Sequence, residues 1–477
     1  MMPFGGIVIT NPVLPWARGR FLPPSATPHT AADLAASLAA AARGGAEAAF
    51  ARDLAALTGC PSVHLTASGR AAFFLILEAG KRLRPDRREV VLPAYTCPVL
   101  AYAAHAAGLR VRLVDMDPLT LDYDRAALER AIGPQTLAVV SVHPLGLPRP
   151  LDGVRARAHA AGAFFVDDAA QAFGARGPEP ATCTGAQGDA GLFSFGPGKP
   201  LSAGGGGAAL FNDASLAAAA AEIFAAWPRP RLASQLLAWA RIAALAAAFH
   251  PRGWWWVARL GLDAAGDDPR TWQFARQPLN APAAALGQRL LPQLAGWNAQ
   301  RQANAQRLLA DLPAQAGLTP IAAAAGSQPI YLRLPLLARS PAQRADLIAR
   351  LRRAGIGAGR LYGHTLAEIL RRPFPAALSG PTAVNLGDDF PGATEIAQRL
   401  LTLPTHPYMR ESDLALVRME IGDQRRGEGE KGGRAEVQRA KCRVQSEERG
   451  RRGEAEKGKR RILVFHAPDT RSPISDL

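Results

Sequence analysis

An α/β fold built on a mostly parallel sheet, with a smaller α+β domain after it, is what this sequence predicts. Two observations carry the prediction. Short apolar runs alternate with helical stretches from residue 63 to residue 167, at the pitch of strand–helix–strand units. The chain of 477 residues is 48% hydrophobic with a mean hydropathy of −0.03, enough apolar surface for a large soluble core.

The elements follow in order. Residues 30–57 are alanine-rich with helical spacing, and Gly59 suits a helix stop. A strand at 63–66 leads into a helix at 68–83. The pattern repeats as 89–92 with 98–107, 111–115 with 124–132, and 137–142 with 151–161, and a strand at 163–167 closes the series. Ligands of such a sheet lie at the C-terminal ends of its strands. A further strand is expected at 208–211. Residues 283–312 read as one long helix. A strand at 330–334, a helix at 341–354 and a turn at Gly355 begin a small domain that ends near Val417. The reading divides the chain into a large domain over 1–300, a small domain over 301–421 and a tail over 422–477.

Residues 232–262 interrupt this scheme with a Leu-, Ala- and Trp-rich stretch broken by Arg241, His250, Pro251 and Arg252. A membrane span needs about 20 uninterrupted apolar residues, so no span is expected. Two readings stay open: a dimer-packing insertion, or an interfacial amphipathic segment.

The formal charge of +16 invites a nucleic-acid reading, which weakens once the charge is located. From Gly422 onward 15 Lys and Arg stand against 10 Asp and Glu, leaving +5 in a low-complexity segment too poor in apolar residues to bury a core. Disorder is expected there. The body carries +11, almost wholly as scattered arginine, with no basic stripe interleaved with aromatics. A small anionic substrate explains that balance, and no nucleic-acid partner is expected. Cys60, Cys97, Cys183 and Cys442 form no CxxC pair and no zinc spacing, so no metal is expected. The first residues show no basic segment followed by an apolar run, and the cytoplasm is the expected compartment.

Of six lysines only Lys81 and Lys199 precede Gly422, so the body uses arginine wherever a generic cation suffices. Lys199 stands in a Gly/Pro-rich loop, FSFGPGKP (193–200), where neither helix propensity nor a surface ion pair calls for it. A lysine amine forms an imine and a guanidinium does not. Three further segments belong with it. TASGRAA (66–72) places Ser68, Gly69 and Arg70 at a helix start, where backbone N–H groups can surround a phosphate; a simple cap would read the same way. AFFVDDAAQ (163–171) ends an apolar strand in two carboxylates, either of which could cap the following helix or hold a pyridine nitrogen protonated. Gly204–Gly207 lets the chain turn closely beneath a ligand.

In their order and spacing these segments resemble the DegT/DnrJ/EryC1/StrS family of sugar aminotransferases. The likeness covers about residues 48–417 and takes in LPAYTCP, RLVDMDPLTLD and LTLPTHPYM (401–409). It implies the fold-type-I architecture of pyridoxal-phosphate (PLP) enzymes, with a seven-stranded sheet in a three-layer large domain plus the small C-terminal domain. It implies Lys199 as the Schiff-base lysine, Asp168 on the pyridine nitrogen, Gln171 beside the ring's phenolic oxygen, and Ser194 with Ser68, Gly69 and Arg70 around the phosphate. It further implies a homodimer, an amine donor such as L-glutamate and a keto-sugar nucleotide acceptor, in polysaccharide or secondary-metabolite sugar biosynthesis. Tyr95, His143, Arg360 and His364 are candidate substrate contacts; His143 would serve equally as a core histidine. The sequence departs from the family in three places: Cys97 where relatives often have a stacking aromatic, an all-glycine run after the lysine loop, and no clear Asn-x-Arg element near Asn280. Two other readings keep the fold: a PLP-dependent sugar dehydratase, whose relatives lack the lysine, and a non-catalytic scaffold or regulator in a polysaccharide-assembly complex.

Overall fold

The computed structural model describes residues 19–178, 183–262, 273–313, 316–371 and 389–422. The tail expected to be disordered lies outside them. Seven strands form the main sheet: β1 (Ser62–Thr66), β2 (Glu89–Pro93), β3 (Arg110–Val114), β4 (Thr136–Val142), β5 (Phe164–Asp168), β6 (Ala190–Ser194) and β7 (Gly207–Phe211). Their order is β1-β7-β6-β5-β4-β2-β3, with β7 alone antiparallel to its neighbours. The inner strands are buried on both faces, which is why 89–92 and 137–142 read as continuous apolar runs rather than alternations.

Helices cover the sheet on both sides. Gly69–Leu83 and Pro98–Ala106 pack with Val90, Leu92, Val140 and Val166 on one face. On the other, Phe50, Phe173, Phe193 and Phe195 form one cluster, while Val91, Val139 and Phe165 join Val154 and Ala158 in another. A second sheet of three antiparallel strands, β8 (Leu318–Pro320), β9 (Arg333–Ala338) and β10 (Leu400–Pro404), packs with helices Pro341–Arg353 and Glu411–Gly422. The helix Leu294–Ala310 runs through position 300, where the sequence reading sets its first boundary, and residues as far as Gly422 form one compact unit.

Several boundaries differ from the sequence reading for local reasons. The single helix over 30–57 is two, Ala31–Arg43 and Ala46–Thr58, because Gly44 and Gly45 both take left-handed φ (80° and 79°). The long helix over 283–312 is Ala281–Leu290 and Leu294–Ala310, parted by a 3-10 turn at Leu291–Gln293 that contains Pro292. The strand expected at 330–334 starts at Arg333, after Tyr331 adopts φ 47°. β10 went unread because Thr402 interrupts its apolar run and Pro404 ends it.

The chain runs outward through β2 and β3, then returns to β4 on the other side of β2. The strand order therefore switches between β2 and β4, and in such sheets ligands bind at the strand C-termini beside that switch. Gly207, at the start of antiparallel β7, reaches the same edge, paired with Thr66 and Ser194. A Cβ on Gly207 would lie 2.5 Å from Gly69 N, whereas one on Gly205 would meet nothing within 4 Å. Gly207→Ala is therefore expected to cost about 2–3 kcal/mol or more of stability through this backbone overlap. Gly205→Ala should stay within about 0.5 kcal/mol. Urea midpoints of the two variants check this, and equal midpoints would refute the packing argument.

Candidate active site

β5 delivers two adjacent carboxylates that the fold treats differently. Asp167 is fully buried; its Oδ1 lies 2.8 Å from His143 Nε2, and its Oδ2 accepts from Gly185 N (2.7 Å) and Gln187 N (3.1 Å). Asp168 is 4% exposed, and among the described residues its one hydrogen-bond donor is Ala170 N, at 2.9 Å from Oδ1. Burial pushes the Asp168 carboxyl up to about 6, against the opposing effects of the Ala170 N–H and the nearby Lys199 and His143. Asp167 is thus a structural anchor, and Asp168 keeps an oxygen for a ligand.

His143 follows β4 and is wholly buried. Arg149 N–H donates to its Nδ1 (2.9 Å), so that nitrogen carries no proton and Nε2–H donates to Asp167. With both nitrogens engaged, His143 is placed as a core residue beneath Asp168 rather than as a substrate contact. Gln171 lies next to these: Oε1 accepts from Leu145 N (2.8 Å) and Nε2 donates to the Tyr362 hydroxyl (2.9 Å).

At the start of helix Gly69–Leu83, Ser68 caps Ala71 N (3.2 Å) and Thr66 Oγ1 donates to Ser68 O (2.9 Å). Ser194 is at the end of β6, so close that a Cβ on Gly69 would stand 3.2 Å from its hydroxyl. Gly206 bridges to Ser68 with φ 102°, which explains the glycine run: backbone must lie flush against this helix start. Arg70 is half-buried, and burial draws its guanidinium down from its ordinary value.

The loop carrying Lys199 is clamped from outside the sheet. Thr27 Oγ1 donates to Lys199 O (3.1 Å) and accepts from Ser202 N (3.1 Å); Ser25 Oγ donates to Gly198 O (3.0 Å). Arg301, fully buried, donates to Pro200 O (2.9 Å), Ala26 O (3.3 Å) and Asn298 Oδ1 (2.6 Å), and burial pulls it down to about 9. Thr27 and Arg301 were missed in the sequence, where nothing marks their distant partners.

A second cluster faces the site. The Tyr95 hydroxyl donates to Tyr362 O (3.2 Å) and accepts from Tyr362 N (3.0 Å), and the two rings meet edge-on at 5.4 Å. Tyr95 is therefore a fixed support, its hydroxyl pushed up by burial. Burial pushes the Tyr362 hydroxyl up, with further upward effects from the neighbouring Cys97, Tyr95 and Asp168, so this ring stands beside Cys97 from another part of the chain. Arg333, Arg344 and Arg360 all act electrostatically on Tyr95, and among the described residues no carboxylate pairs with any of the three. His364 is exposed and pairs with Glu368 at 3.3 Å, away from the buried carboxylates. Among the described residues no group of His, Cys, Asp and Glu could hold a metal ion.

Fold and site together define a protein with the fold-type-I architecture, carrying a lysine and a buried carboxylate at the edge of a mostly parallel sheet. Residues 28–231 and 275–421 match the DegT/DnrJ/EryC1/StrS aminotransferase family, and the chain belongs to it. A stretch of 174 residues is 41% identical to the L-glutamine:2-deoxy-scyllo-inosose aminotransferase of Streptoalloteichus tenebrarius, covering 36% of this chain and 40% of that protein. The chain therefore aligns with well under half of that relative. The pleiotropic regulatory protein of Geobacillus stearothermophilus is 27% identical over 342 residues, 70% of this chain and 78% of that one. Among solved structures, the aminotransferase TlmJ from Streptoalloteichus hindustanus has a TM-score of 0.64 at 24% identity, covering 84% of this chain and 98% of that chain. An E. coli GDP-4-keto-6-deoxy-D-mannose-3-dehydratase with bound hydrated PLP has a TM-score of 0.66 at 17% identity, covering 84% and 99%. The family's cofactor is PLP, and the residues present fit it: one Asp168 oxygen meets no donor among the described residues, and the cradle at Ser68, Gly69 and Ser194 leaves a Cβ at Gly69 only 3.0 Å from the Ser194 side chain.

The raised Asp168 carboxyl has a stability consequence. A carboxyl held at about 6 in the fold, against 3.8 unfolded, leaves the fold fully stable only below the unfolded value, and the loss is complete above about pH 6. Asp168→Asn is expected to raise the melting temperature of the cofactor-free protein at pH 8. The gain is at most on the order of 3 kcal/mol, shrinks as pH falls from about 6 to about 4, and is absent below that. Melting scans at the two pH values check it.

Proposed function

We propose that this chain is a PLP-dependent aminotransferase that moves an amino group, from a donor such as L-glutamate, to a keto-sugar nucleotide. The observation that carries the reading is the proximity of Lys199 to a buried Asp168 whose second oxygen meets no donor among the described residues. When bound, PLP supplies an aldehyde for the lysine amine and a ring that draws electrons from the substrate carbon.

The chain's own groups do the rest. Asp168 holds a proton at the ring nitrogen, and the buried setting that raises its carboxyl makes a cationic partner strongly favourable. Ser68, Gly69 and Ser194 would bind the phosphate at a helix start, where the backbone dipole favours an anion. Lys199 Nζ would hold the aldehyde of the cofactor and supply the amine that moves a proton, and its backbone clamp limits where that amine can reach. Gln171 and Tyr362 hold each other beside Asp168 through the hydrogen bond from Gln171 Nε2 to the Tyr362 hydroxyl. Arg333, Arg344 and Arg360 suit the phosphates or carboxylates of an anionic substrate. The names of two relatives agree with such a substrate: an enzyme of Acidithiobacillus ferrooxidans, 36% identical over 165 residues, is a UDP-N-acetyl-3-dehydro-alpha-D-glucosamine 3-aminotransferase. The other, from Pseudomonas aeruginosa, is a UDP-2-acetamido-2-deoxy-3-oxo-D-glucuronate aminotransferase, 36% identical over 136 residues.

Purified protein loaded with PLP should be yellow, and its visible band should shift on adding glutamate. Borohydride treatment followed by digestion should label the peptide containing Lys199, and Lys199→Ala should abolish labelling and amine transfer. A colourless protein indifferent to PLP would overturn the reading in favour of a regulatory role. For the anionic acceptor, Arg333→Gln should raise KM for a nucleotide-linked keto-sugar by roughly tenfold or more with kcat little changed, the size of one lost charge-assisted hydrogen bond.

A further inference from the structure

Residues 232–274 fall in the gap of the family match, so the site described above does not account for them. Their described part is two helices, Leu232–Phe249 and Pro251–Arg259, with Pro251 opening the second. The first is 18 residues long with a mean hydropathy of 1.5, yet only 6% of it is buried. One side is seated on the fold: Ile242 is buried against Gly204, the Trp239 indole N–H donates to Leu34 O, and Phe249 packs on Trp254, which clusters with Phe21. The other side, with Leu232, Leu236, Leu237, Ala240, Ala244 and Ala247, is exposed. Trp256, Leu260 and Leu262 extend the apolar surface at 58%, 65% and 58% exposure. A helix that is apolar all round is ordinarily covered.

Charge decides what covers it. Between Glu222 and Asp263 the chain holds Arg229, Arg231, Arg241, Arg252 and Arg259 and no Asp or Glu. A second copy docked across a two-fold axis on this face would set the same arginines against one another with no acid between them. An anionic bilayer supplies the opposite charge, an apolar layer for the exposed Leu and Ala, and an interfacial zone for Trp256. With one side of the first helix held by Ile242 and Trp239, the segment can lie along a membrane surface without crossing it. We propose that residues 232–262 dock this protein on the surface of an anionic lipid bilayer. The inference stands apart from the catalytic reading.

The test is flotation of the full chain with vesicles of phosphatidylcholine alone and of phosphatidylcholine containing phosphatidylglycerol. The protein is expected to float with the anionic vesicles and to be released by high salt. Arg241→Gln combined with Arg252→Gln should weaken the binding about tenfold or more. Leu236→Asp combined with Leu237→Asp should abolish it while the far-ultraviolet circular dichroism stays unchanged. Equal binding to neutral vesicles, or none to either, overturns the proposal. So does a leucine double variant that leaves flotation intact. Should the leucine variant instead turn a dimer into a monomer in sedimentation, with no vesicle binding by the parent, the covering partner is a second copy.

Discussion

Two neighbouring carboxylates at the end of β5 set the terms for everything around them. Asp167, buried with hydrogen bonds from His143, Gly185 and Gln187, ties β4, β5 and the segment before β6 into one rigid edge. That satisfaction lets the next residue remain under-satisfied. Asp168 sits in the same dry environment with a single donor, a costly arrangement in isolation. The cost is tolerable because the sheet on either side is buried and packed on both faces.

The lysine loop shows the complementary solution. Its backbone is held by Ser25, Thr27 and Arg301, groups that lie far away in the chain, while the Lys199 side chain takes no part in the clamp. The N-terminal segment also pairs Leu22 with Ile356 and receives the His406 Nε2 hydrogen bond at Pro23 O (2.8 Å). One extended segment therefore joins the small sheet to the loop that presents the amine.

Much of the fold was legible because its signals are local. The parallel strands announce themselves as apolar runs, and Ser68 and Asp124 mark helix starts whose caps the structure bears out. Where signals were local but misread, the cause was a single residue type: Gly44 and Gly45 dividing one helix, Pro292 dividing another. The core of the site was legible for the same reason, since Ser68, Asp168, Ser194 and Lys199 each end or follow an apolar run, and the sheet brings those ends together.

The sequence by itself determined the sheet-forming pattern, the lysine set apart by composition and the pair of acids at a strand end. Tertiary structure alone decided which acid is engaged and which is open, that His143 is held in the core, that His364 stays at the surface, and that Tyr362 stands beside Cys97. It also decided that Leu232–Phe249 is left uncovered. The physical reason is that a hydrogen bond or a buried face belongs to two partners. Apolar periodicity and turn chemistry are written in neighbouring residues, whereas Asp167 and His143, or Thr27 and Lys199, meet only once the chain has closed the distance between them.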